Sequence, residues 1–566
     1  MHTVGSPSTS LNVINSRLDL VTYMQENEDI QERLIILLRR SHDSQRLLQK
    51  FAFGRGDPDD LLDLASTIQA TEDLVETLQE DGDSASCIAS LLPRITLNGP
   101  LELAKKIRAA IDEEGLVQQH RLEEGTEGEL QALAQSIVDS TGTIEDAQLL
   151  PQTSKAKTKR AKKKESLKEY YADDADAWTM QPRASPTLQQ LHTELLRLYE
   201  SRAELARNLS DELGAPTLLL RFSPGLGHFC HVKGKDARLP MFTTSSNLRT
   251  VSSTKTTRSF YYASWTSLGQ KIVEHKARIR TEEIRVFNAL RESAIHNIVS
   301  LRRNASVLAE IDIASSFAVL ANEKGWVRPI LNNSTSHKII AGRHPTVEGG
   351  LEIDGRTFVT NPCSVGAPES TWLLTGPNMA GKSTFLRQNA IITILAQTGS
   401  YVPASFAEIG IVDQIFSRVG SADNLYKDQS TFMVEMLETA HILKNATSRS
   451  FVIMDEVGRG TTPADGTAVA FACLWHLTKV NQCRTLFATH FHDLTELVEK
   501  DEELRRKVGF YCTDIKVDKD GVGFRFLHQL RPGVNRQSHA LRVARLAGLP
   551  EEALRVAKDI MAKDGD

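Results

Sequence analysis

A glycine-rich segment between an apolar strand and a helix constrains the fold of this 566-residue chain more than any other feature. The strand pattern TWLLT at 371–375 runs directly into GPNMAGKS at 376–383, and the helical pattern STFLRQNAIITILAQ follows. The spacing GxxxxGK[ST], placed after a strand and before a helix, is that of a phosphate-binding loop. The sequence therefore predicts a nucleotide site in an α/β domain.

Each residue type in this loop has a physical role toward phosphate. Gly376 and Gly381 permit the tight wrap that aims backbone N–H groups at phosphate oxygens, and Lys382 adds a positive charge. The Ser383 hydroxyl can ligate Mg²⁺, so we expect ATP with Mg²⁺ as the ligand. The predicted phosphate-loop contacts are Gly376, Pro377, Asn378, Met379, Ala380, Gly381, Lys382, Ser383 and Thr384.

Two further apolar strand patterns end in polar residues. The strand at 450–454 is followed by Asp455 and Glu456, and the strand at 484–489 is followed by His490. Ligands gather at the carboxyl ends of strands in open parallel sheets. We therefore expect Asp455 to join Ser383 as a metal ligand and Glu456 to polarise an attacking water, with Lys382 and His490 as the other catalytic residues.

The segment DQSTFM at 428–433 opens a predicted helix, with Ser430 or Thr431 as its N-cap. A helix N-terminus offers N–H groups and a positive dipole end that suit a γ-phosphate, so Ser430 is a candidate nucleotide contact. In ABC-type ATPases such a segment completes the site of the opposite subunit, which implies a dimer. A plain capped helix in a monomer is the alternative interpretation.

Helical periodicity dominates before residue 341, and strands alternate with helices after it. Between two long helical runs, the segment at 214–264 alternates like short antiparallel strands. Its basic residues are candidates for gripping a DNA backbone, with an ordinary exposed sheet as the alternative. They are Lys233, Lys235, Arg238, Arg249, Lys255 and Arg258. A lysine-rich run at 155–168 predicts a mobile insertion, either solvated or in contact with phosphate.

Composition excludes several classes of protein. No run of 18 apolar residues is present, so we expect no membrane span or membrane partner. The six cysteines form no CxxC pair, which argues against zinc knuckles and a disulfide framework. The formal net charge of -5 requires any nucleic-acid surface to be local. The first 20 residues have neither an apolar signal core nor the composition of a transit peptide.

The motifs TGPNMAGKSTFLRQ, DQSTFMVEM, MDEVGRGT and ATHFHDL, with LAGLP downstream, closely resemble the MutS DNA mismatch-repair ATPases. The resemblance extends through SLNVINSRLDLV, FYYASWTSLGQKI and IAGRHPTVE, and so covers nearly the whole chain. It implies a multidomain fold, an all-α lever bundle with an inserted β clamp, followed by an α/β ABC-type ATPase. The implied boundaries are 11–213 for core and lever helices with a disordered insertion near 150–180, 214–264 for the clamp, 265–340 for returning lever helices and 341–566 for the ATPase.

The resemblance also implies residue roles and partners. Phe358 in TFVTNP matches the aromatic that stacks on adenine, and His528 in FLHQL matches a second base contact. Double-stranded DNA, a second MutS-type subunit (identical or different) and a MutL-type protein are the implied partners. The segments NQCRTLFATHF and FLRQNAIITILAQTGSYVPA are most similar to the fungal mitochondrial branch of the family. This resemblance implies a mitochondrial location, with the nucleus as the alternative.

Two departures from the family pattern qualify the function. We expect neither a mismatch-reading domain nor a connector before Leu11, and therefore no reading of a mispair by a Phe-x-Glu wedge; Phe406-Ala407-Glu408 falls inside the predicted ATPase. Thr462-Pro463 replaces small hydroxyl residues in GRGTTPADG, which puts subunit communication in doubt. We expect a DNA-dependent ATPase that switches a clamp. A junction-binding module in recombination and a truncated gene product are the alternatives.

Overall fold

The structure is a computed structural model that describes residues 5–80, 86–121, 177–223, 225–238, 249–377, 380–419, 431–517, 524–535, 541, 544–545 and 547–563. Contacts divide the chain into two compact units. The helical unit comprises residues 37–76 and 93–306, and the sheet unit comprises residues 1–36, 77–92 and 307–566. The predicted basic insertion lies outside the described residues, as do Asn378, Met379 and Ser430.

Helices form most of the described residues up to Lys324. The helices before the insertion are α1 (Leu11–Glu26), α2 (Glu28–Leu38), α3 (Ser44–Ala52), α4 (Pro58–Glu80), α5 (Ser86–Leu91) and α6 (Asn98–Ala110). The elements after it are α7 (Pro186–Glu212), β1 (Leu219–Ser223), β2 (Gly227–Lys233), β3 (Arg249–Ser253), β4 (Thr257–Tyr261), α8 (Ala263–His296) and α9 (Ile298–Lys324).

The start of α7 follows the chemistry of its sequence. The Ser185 hydroxyl accepts a hydrogen bond from the Leu188 N–H at 3.0 Å, and Pro186 occupies the first helical turn, where its missing N–H costs nothing. The core of the helical unit is built from residues at helical spacing, such as Phe51, Leu195 and Ile279, which are at most 3% exposed. Burial of these apolar side chains, rather than helix propensity, stabilises the bundle.

The predicted antiparallel strands between long helices are confirmed. They form a four-stranded sheet in the order β1-β2-β4-β3, with antiparallel pairing at each step. The long helical run predicted after these strands is interrupted at Asn297, between α8 and α9. The Asn297 side chain donates to the Ser293 carbonyl at 3.0 Å, which satisfies an acceptor at the end of α8.

The sheet unit alternates strands with helices. Its elements after α9 begin with β5 (Ile330–Asn332), β6 (His337–Gly342), α10 (Pro345–Ile353), β7 (Asn361–Val365), β8 (Thr371–Thr375), α11 (Lys382–Thr398), β9 (Phe406–Gly410) and β10 (Ile415–Arg418). They continue with α12 (Thr431–Asn445), β11 (Phe451–Asp455), α13 (Pro463–His476), β12 (Arg484–Ala488), α14 (Asp493–Glu499), α15 (Glu502–Lys507), β13 (Val508–Val517), β14 (Phe524–Pro532) and α16 (Glu551–Lys563).

Two sheets organise this unit. The six-stranded sheet has the order β10-β11-β12-β8-β13-β14, and all its pairings are parallel except that of β13 with β14. The other sheet has the order β5-β9-β6-β7. Strands β8, β11 and β12 are buried along their whole length, as expected for parallel strands covered on both faces. The predicted mostly parallel sheet is therefore confirmed.

The first helix belongs to the sheet unit rather than to the helical unit. The Ser8 N–H donates to the Gln397 carbonyl at 3.0 Å, and Arg17 NH1 donates to the Thr398 carbonyl at 3.2 Å. The hydroxyls of Thr22 and Tyr401 lie 3.0 Å apart. The region predicted as helical at 11–213 is thus divided, with part of it in the sheet unit and the rest in the helical unit. Helical periodicity identifies an apolar face but not its partner, so this division depends on tertiary contacts.

Helix α9 is long and apolar enough, by length and composition, to cross a membrane. In the structure, 44% of its most apolar 18-residue window is buried inside the protein, and one helix of this kind is weak evidence for a membrane span. All six cysteines are free and buried, which agrees with the predicted absence of a disulfide framework.

Candidate functional site

The predicted phosphate loop connects β8 to α11. Two backbone conformations in the left-handed region shape it, at Gly376 (φ 134°) and at Gly381 (φ 96°). A Cβ atom at Gly376 would lie 2.9 Å from the Thr513 carbonyl oxygen and closer still to the Thr513 hydroxyl. Glycine is therefore required at this position by both conformation and space. The helix that follows begins at Lys382, as a phosphate-loop helix should.

Lys382 lies at the floor of the loop and is 4% exposed. Its Nζ donates to the carbonyls of Gly376 at 2.7 Å and Pro377 at 2.9 Å. Burial lowers the pKa of the Lys382 ammonium, while the Glu456 and Asp455 carboxylates act in the opposite direction. The loop thus holds its lysine folded onto its own backbone, with the charge close to the two acids.

Asp455 ends β11 and is 6% exposed. Burial raises the pKa of its carboxyl, and a hydrogen bond with Ser383 acts against that shift. Its Oδ1 atom is buried without a hydrogen-bond partner among the described residues. A buried, unpartnered carboxylate oxygen beside a serine hydroxyl fits the hard oxygen ligands that Mg²⁺ prefers. The two predicted metal ligands are therefore adjacent.

Glu456 follows directly and adopts φ 54°, a conformation that non-glycine residues rarely take. Its Oε1 bonds to His490 Nε2, and its Oε2 lies 2.7 Å from Arg459 NH1. The hydrogen bond with His490 lowers the pKa of the Glu456 carboxyl, and burial acts in the opposite direction. The carboxylate is thus held in its ionised form and in a fixed direction.

A cavity of about 300 Å³ brings Lys382, Ser383 and Glu456 together with the predicted base contacts. It is lined by Val347, Leu351, Arg356, Thr357, Phe358, Val359, Asn361, Gly381, Lys382, Ser383, Thr384, Phe385, Gln388, Glu456 and His528. Phe358 and His528 are far apart in the sequence but line the same cavity. One region is aromatic and apolar, whereas the other carries the lysine and the acid. That arrangement suits an adenine nucleotide.

Sequence reasoning missed several residues of this cavity, and two of them, Asn361 and Gln388, are buried and polar. Asn361 donates from Nδ2 to the His528 carbonyl at 2.8 Å and accepts from the Leu530 N–H at 2.7 Å, so it fixes the strand that carries His528. Gln388 is 1% exposed, and its Nε2 has no hydrogen-bond partner among the described residues. Neither belongs to the phosphate-loop motif. The one sequence signal that could have identified Asn361 was its position shortly after Phe358.

The remaining predicted residues of the nucleotide site fall into two groups. Ala380 is buried, and Thr384 lines the cavity. Asn378, Met379 and Ser430 lie outside the described residues. Arg459, which we did not predict, contacts Glu456 from the loop after β11.

The predicted DNA contacts lie in the strands of the four-stranded sheet or in the turns beside them. Lys233 ends β2 and pairs with Thr257, and Arg238 donates from Nε to the Lys255 carbonyl at 3.4 Å. The end of the sheet that carries these residues also holds Lys235 and Arg258. Arg249 pairs with Tyr261 at the opposite end of β3. The sheet therefore gathers five of the six basic residues and separates the sixth.

Two family models match most of the chain. Residues 372–563 match the family model for MutS domain V, and residues 1–318 match that for MutS domain III. The chain belongs to the MutS family. The domain V match contains Lys382, Asp455, Glu456 and His490, and the domain III match contains α1 to α8 with the inserted sheet.

Bacterial MutS proteins are similar over almost the whole chain. The DNA mismatch repair protein MutS of Rhizobium meliloti is 35% identical over 566 residues, which are 99% of this chain and 55% of that protein. The proteins of the same name from Nitrobacter winogradskyi and Azorhizobium caulinodans are 33% and 34% identical over 99% of this chain, and the matches cover 57% and 54% of their lengths. The chain thus spans about half the length of the curated MutS relatives it matches.

Proposed function

We propose that this chain is an ATP-driven DNA clamp of the MutS family that acts in DNA mismatch repair. The observation that carries the proposal is the single cavity in which Phe358, Lys382, Ser383 and Glu456 meet. An aromatic residue for a base, a phosphate loop and a water-polarising acid are the parts that ATP hydrolysis requires.

The two ends of the cavity bind different parts of ATP. Phe358 stacks on the adenine, and His528 contacts it from the neighbouring strand. The triphosphate lies at the N-terminus of α11, where backbone N–H groups and the helix dipole favour negative charge. Lys382 exchanges its bonds to the Gly376 and Pro377 carbonyls for bonds to phosphate oxygens. That exchange needs only a rotation of its flexible side chain, because the Nζ already lies inside the loop.

Hydrolysis is an in-line attack of water on the γ-phosphate. Glu456 orients and polarises the water, and His490 holds the Glu456 carboxylate in place. Mg²⁺, which Asp455 and Ser383 would hold, supplies positive charge against the developing charge on the phosphate oxygens. Preorganised charges supply most of the transition-state stabilisation, since phosphoryl transfer requires little covalent chemistry from the protein.

DNA binding is assigned to the helical unit. The five gathered basic residues of its sheet offer a local positive surface to a phosphate backbone, although the whole chain is acidic. In this proposal the sheet is the clamp, and α7 and α8 are the lever helices that carry it. Contacts of this kind read phosphate rather than base sequence.

The proposed assembly is a dimer with composite ATP sites, formed with an identical chain or another MutS-type subunit. The segment at 428–433 would complete the partner's site, and a MutL-type protein would bind the ATP-loaded form. The proposed compartment is the mitochondrion, on the strength of the resemblance to the fungal mitochondrial branch, with the nucleus as the alternative. Fractionation of cells that express a tagged chain separates the two compartments.

The proposed function is tested by DNA-dependent ATPase assays of the wild type, Glu456→Gln and Lys382→Ala. Matched, mispaired and four-way-junction DNA are compared in the same assays and in binding measurements. We expect turnover that DNA stimulates and that Glu456→Gln lowers roughly 100-fold or more, with ATP binding retained. Turnover no higher than that of Lys382→Ala with every DNA would refute the proposal. A clear preference for the four-way junction would favour a recombination role.

A further inference from the structure

The loop after β11 is held in an unusual conformation. Glu456 has φ 54° and Gly458 has φ 90°, so two of three consecutive residues lie in the left-handed region. A non-glycine residue in this region is strained and stays there only when surrounding contacts determine its position. The catalytic direction of Glu456 therefore depends on whatever fixes this loop.

Contacts from several elements fix the loop. The Glu456 N–H donates to the Ala488 carbonyl at 3.0 Å, which ties the start of the loop to β12. A Cβ atom at Gly458 would lie 2.5 Å from the Gly466 carbonyl oxygen, so α13 packs tightly against the backbone there. A Cβ atom at Gly460 would lie 3.1 Å from the Phe432 Cβ, on the first turn of α12.

The strongest polar contact comes from Glu435 on α12. Its Oε1 accepts the Gly458 N–H at 2.5 Å. Glu435 is 4% exposed, and its Oε2 lies 3.4 Å from NH2 of Arg418, which is 5% exposed. A buried carboxylate is costly unless it is paired and hydrogen-bonded, and an apolar residue would fill this position without that cost. Packing therefore does not explain the acid, whereas its two polar partners, the Gly458 amide and the Arg418 guanidinium, do.

We propose that Glu435 is a positioning residue for the ATPase reaction, which holds the Gly458 amide and thereby fixes the direction of the Glu456 carboxylate. The inference rests on the proposed function, in which Glu456 orients the attacking water. Because Glu435 lies one turn into α12, a movement of that helix would change the position of Gly458 and, two residues earlier, that of Glu456.

The experiment compares Glu435→Ala and Glu435→Gln with Glu438→Ala in the full chain. Glu438 is the matched control because it lies on the same helix and pairs with Arg418 at 3.3 Å, but its side chain is about half exposed. We expect Glu435→Ala to lower kcat for ATP roughly 10- to 100-fold with KM changed less than about threefold, since misplacing a catalytic group costs turnover. Glu435→Gln should stay within about threefold of the wild type, because its amide oxygen still accepts the Gly458 N–H.

A second readout does not depend on turnover. Hydrogen exchange of the peptide that contains 457–462 should be faster in Glu435→Ala than in Glu435→Gln or Glu438→Ala, because the Gly458 amide loses its buried acceptor. A merely structural role would instead lower the thermal midpoint in Glu435→Ala without separating kcat from KM.

Three outcomes would overturn the inference: equal kcat in Glu435→Ala and Glu438→Ala, no recovery in Glu435→Gln, or unchanged exchange at 457–462. Failure of the proposed function is a different result. In that case the wild type itself has no turnover above Lys382→Ala, and the exchange measurement alone decides whether Glu435 holds the loop.

Discussion

His490 Nε2 and Glu456 Oε1 form a hydrogen bond across the ends of two neighbouring parallel strands. Asp455 pairs with Ala488 in the sheet register, so Glu456 and His490 each follow at the carboxyl ends of their strands. The bond therefore depends on the register of β11 and β12, which brings together residues 34 positions apart.

This bond predicts non-additive kinetics. His490→Ala and Glu456→Gln should each lower kcat roughly 100-fold, because each disrupts the same oriented carboxylate. The double variant should be only slightly worse than either single variant, since residues that act as a unit are not additive. Single-turnover ATP hydrolysis of the four proteins measures the cycle. Fully multiplicative losses would mean that the two side chains act independently.

Gly376→Ala should distort the phosphate loop. Its Cβ would press on the Thr513 backbone at a φ of 134°, so we expect a loss of about 1–3 kcal/mol of stability and the loss of ATP binding. Gly325→Ala is the matched control, because Gly325 also has a positive φ but no atom of the described residues beyond its chain neighbours lies within 4 Å of its Cβ position. Thermal unfolding and nucleotide titration measure both effects. Normal ATP affinity in Gly376→Ala would contradict the assigned loop.

Phe358→Ala should weaken ATP binding about 2- to 10-fold, the range expected for the loss of one aromatic stacking contact. The affinity for inorganic tripolyphosphate, which has no base, should be unchanged. Phe358→Tyr should retain the affinity for ATP, since the ring remains. Equal losses for ATP and tripolyphosphate in Phe358→Ala would place this residue near the phosphates instead.

His337 should make the sheet unit less stable in acid. It is 1% exposed, its ring stacks on Phe451 with centroids 4.8 Å apart, and burial lowers its pKa to about 3. The unfolded chain binds a proton near the ordinary histidine pKa of about 6.5, but the folded chain does not until about pH 3. The contribution of the neutral His337 ring to the free energy of unfolding is therefore complete above pH ~6.5. It falls by about 1.4 kcal/mol per pH unit between that pH and about pH 3.

His337→Phe should remove the loss of stability in acid that is due to protonation of His337. The difference in stability between wild type and variant should change in favour of His337→Phe as the pH falls from about 7 to about 5. Chemical denaturation at a series of pH values measures it, with other titrating groups common to both proteins. A difference that does not vary with pH would show that His337 is not buried as a neutral ring.

Arg484→Met should destabilise the sheet unit by roughly 3 kcal/mol, because it removes donors from buried carbonyls. Arg484 is 1% exposed, and its guanidinium donates to the Gly410, Ile411 and Arg449 carbonyls at 2.7, 3.2 and 2.6 Å. Arg484→Lys should also be destabilising, since one ammonium cannot reproduce this forked geometry. Denaturant midpoints measure the effect, with the exposed Arg505→Met as the control. Wild-type stability in Arg484→Met would be the contrary result.

Local sequence determined the chemistry of the site. Spacing alone identified Gly376, Gly381 and Lys382, because a phosphate loop needs those residue types within one turn of backbone. Apolar strands ending in acids identified Asp455 and Glu456. Residues whose roles depend on neighbours in the chain could thus be predicted, and the structure brings Gly381, Lys382 and Glu456 into one cavity.

Tertiary structure alone decided which distant residues meet. Asn361 reaches His528 across 167 positions, and Glu435 reaches Gly458 through the packing of α12 on the loop. The first helix bonds to residues near 397, which divides the predicted helical region between two units. Periodicity shows that a face is apolar and propensity shows that a segment is helical, but neither specifies the partner. The partner follows from the free energy of packing the whole chain.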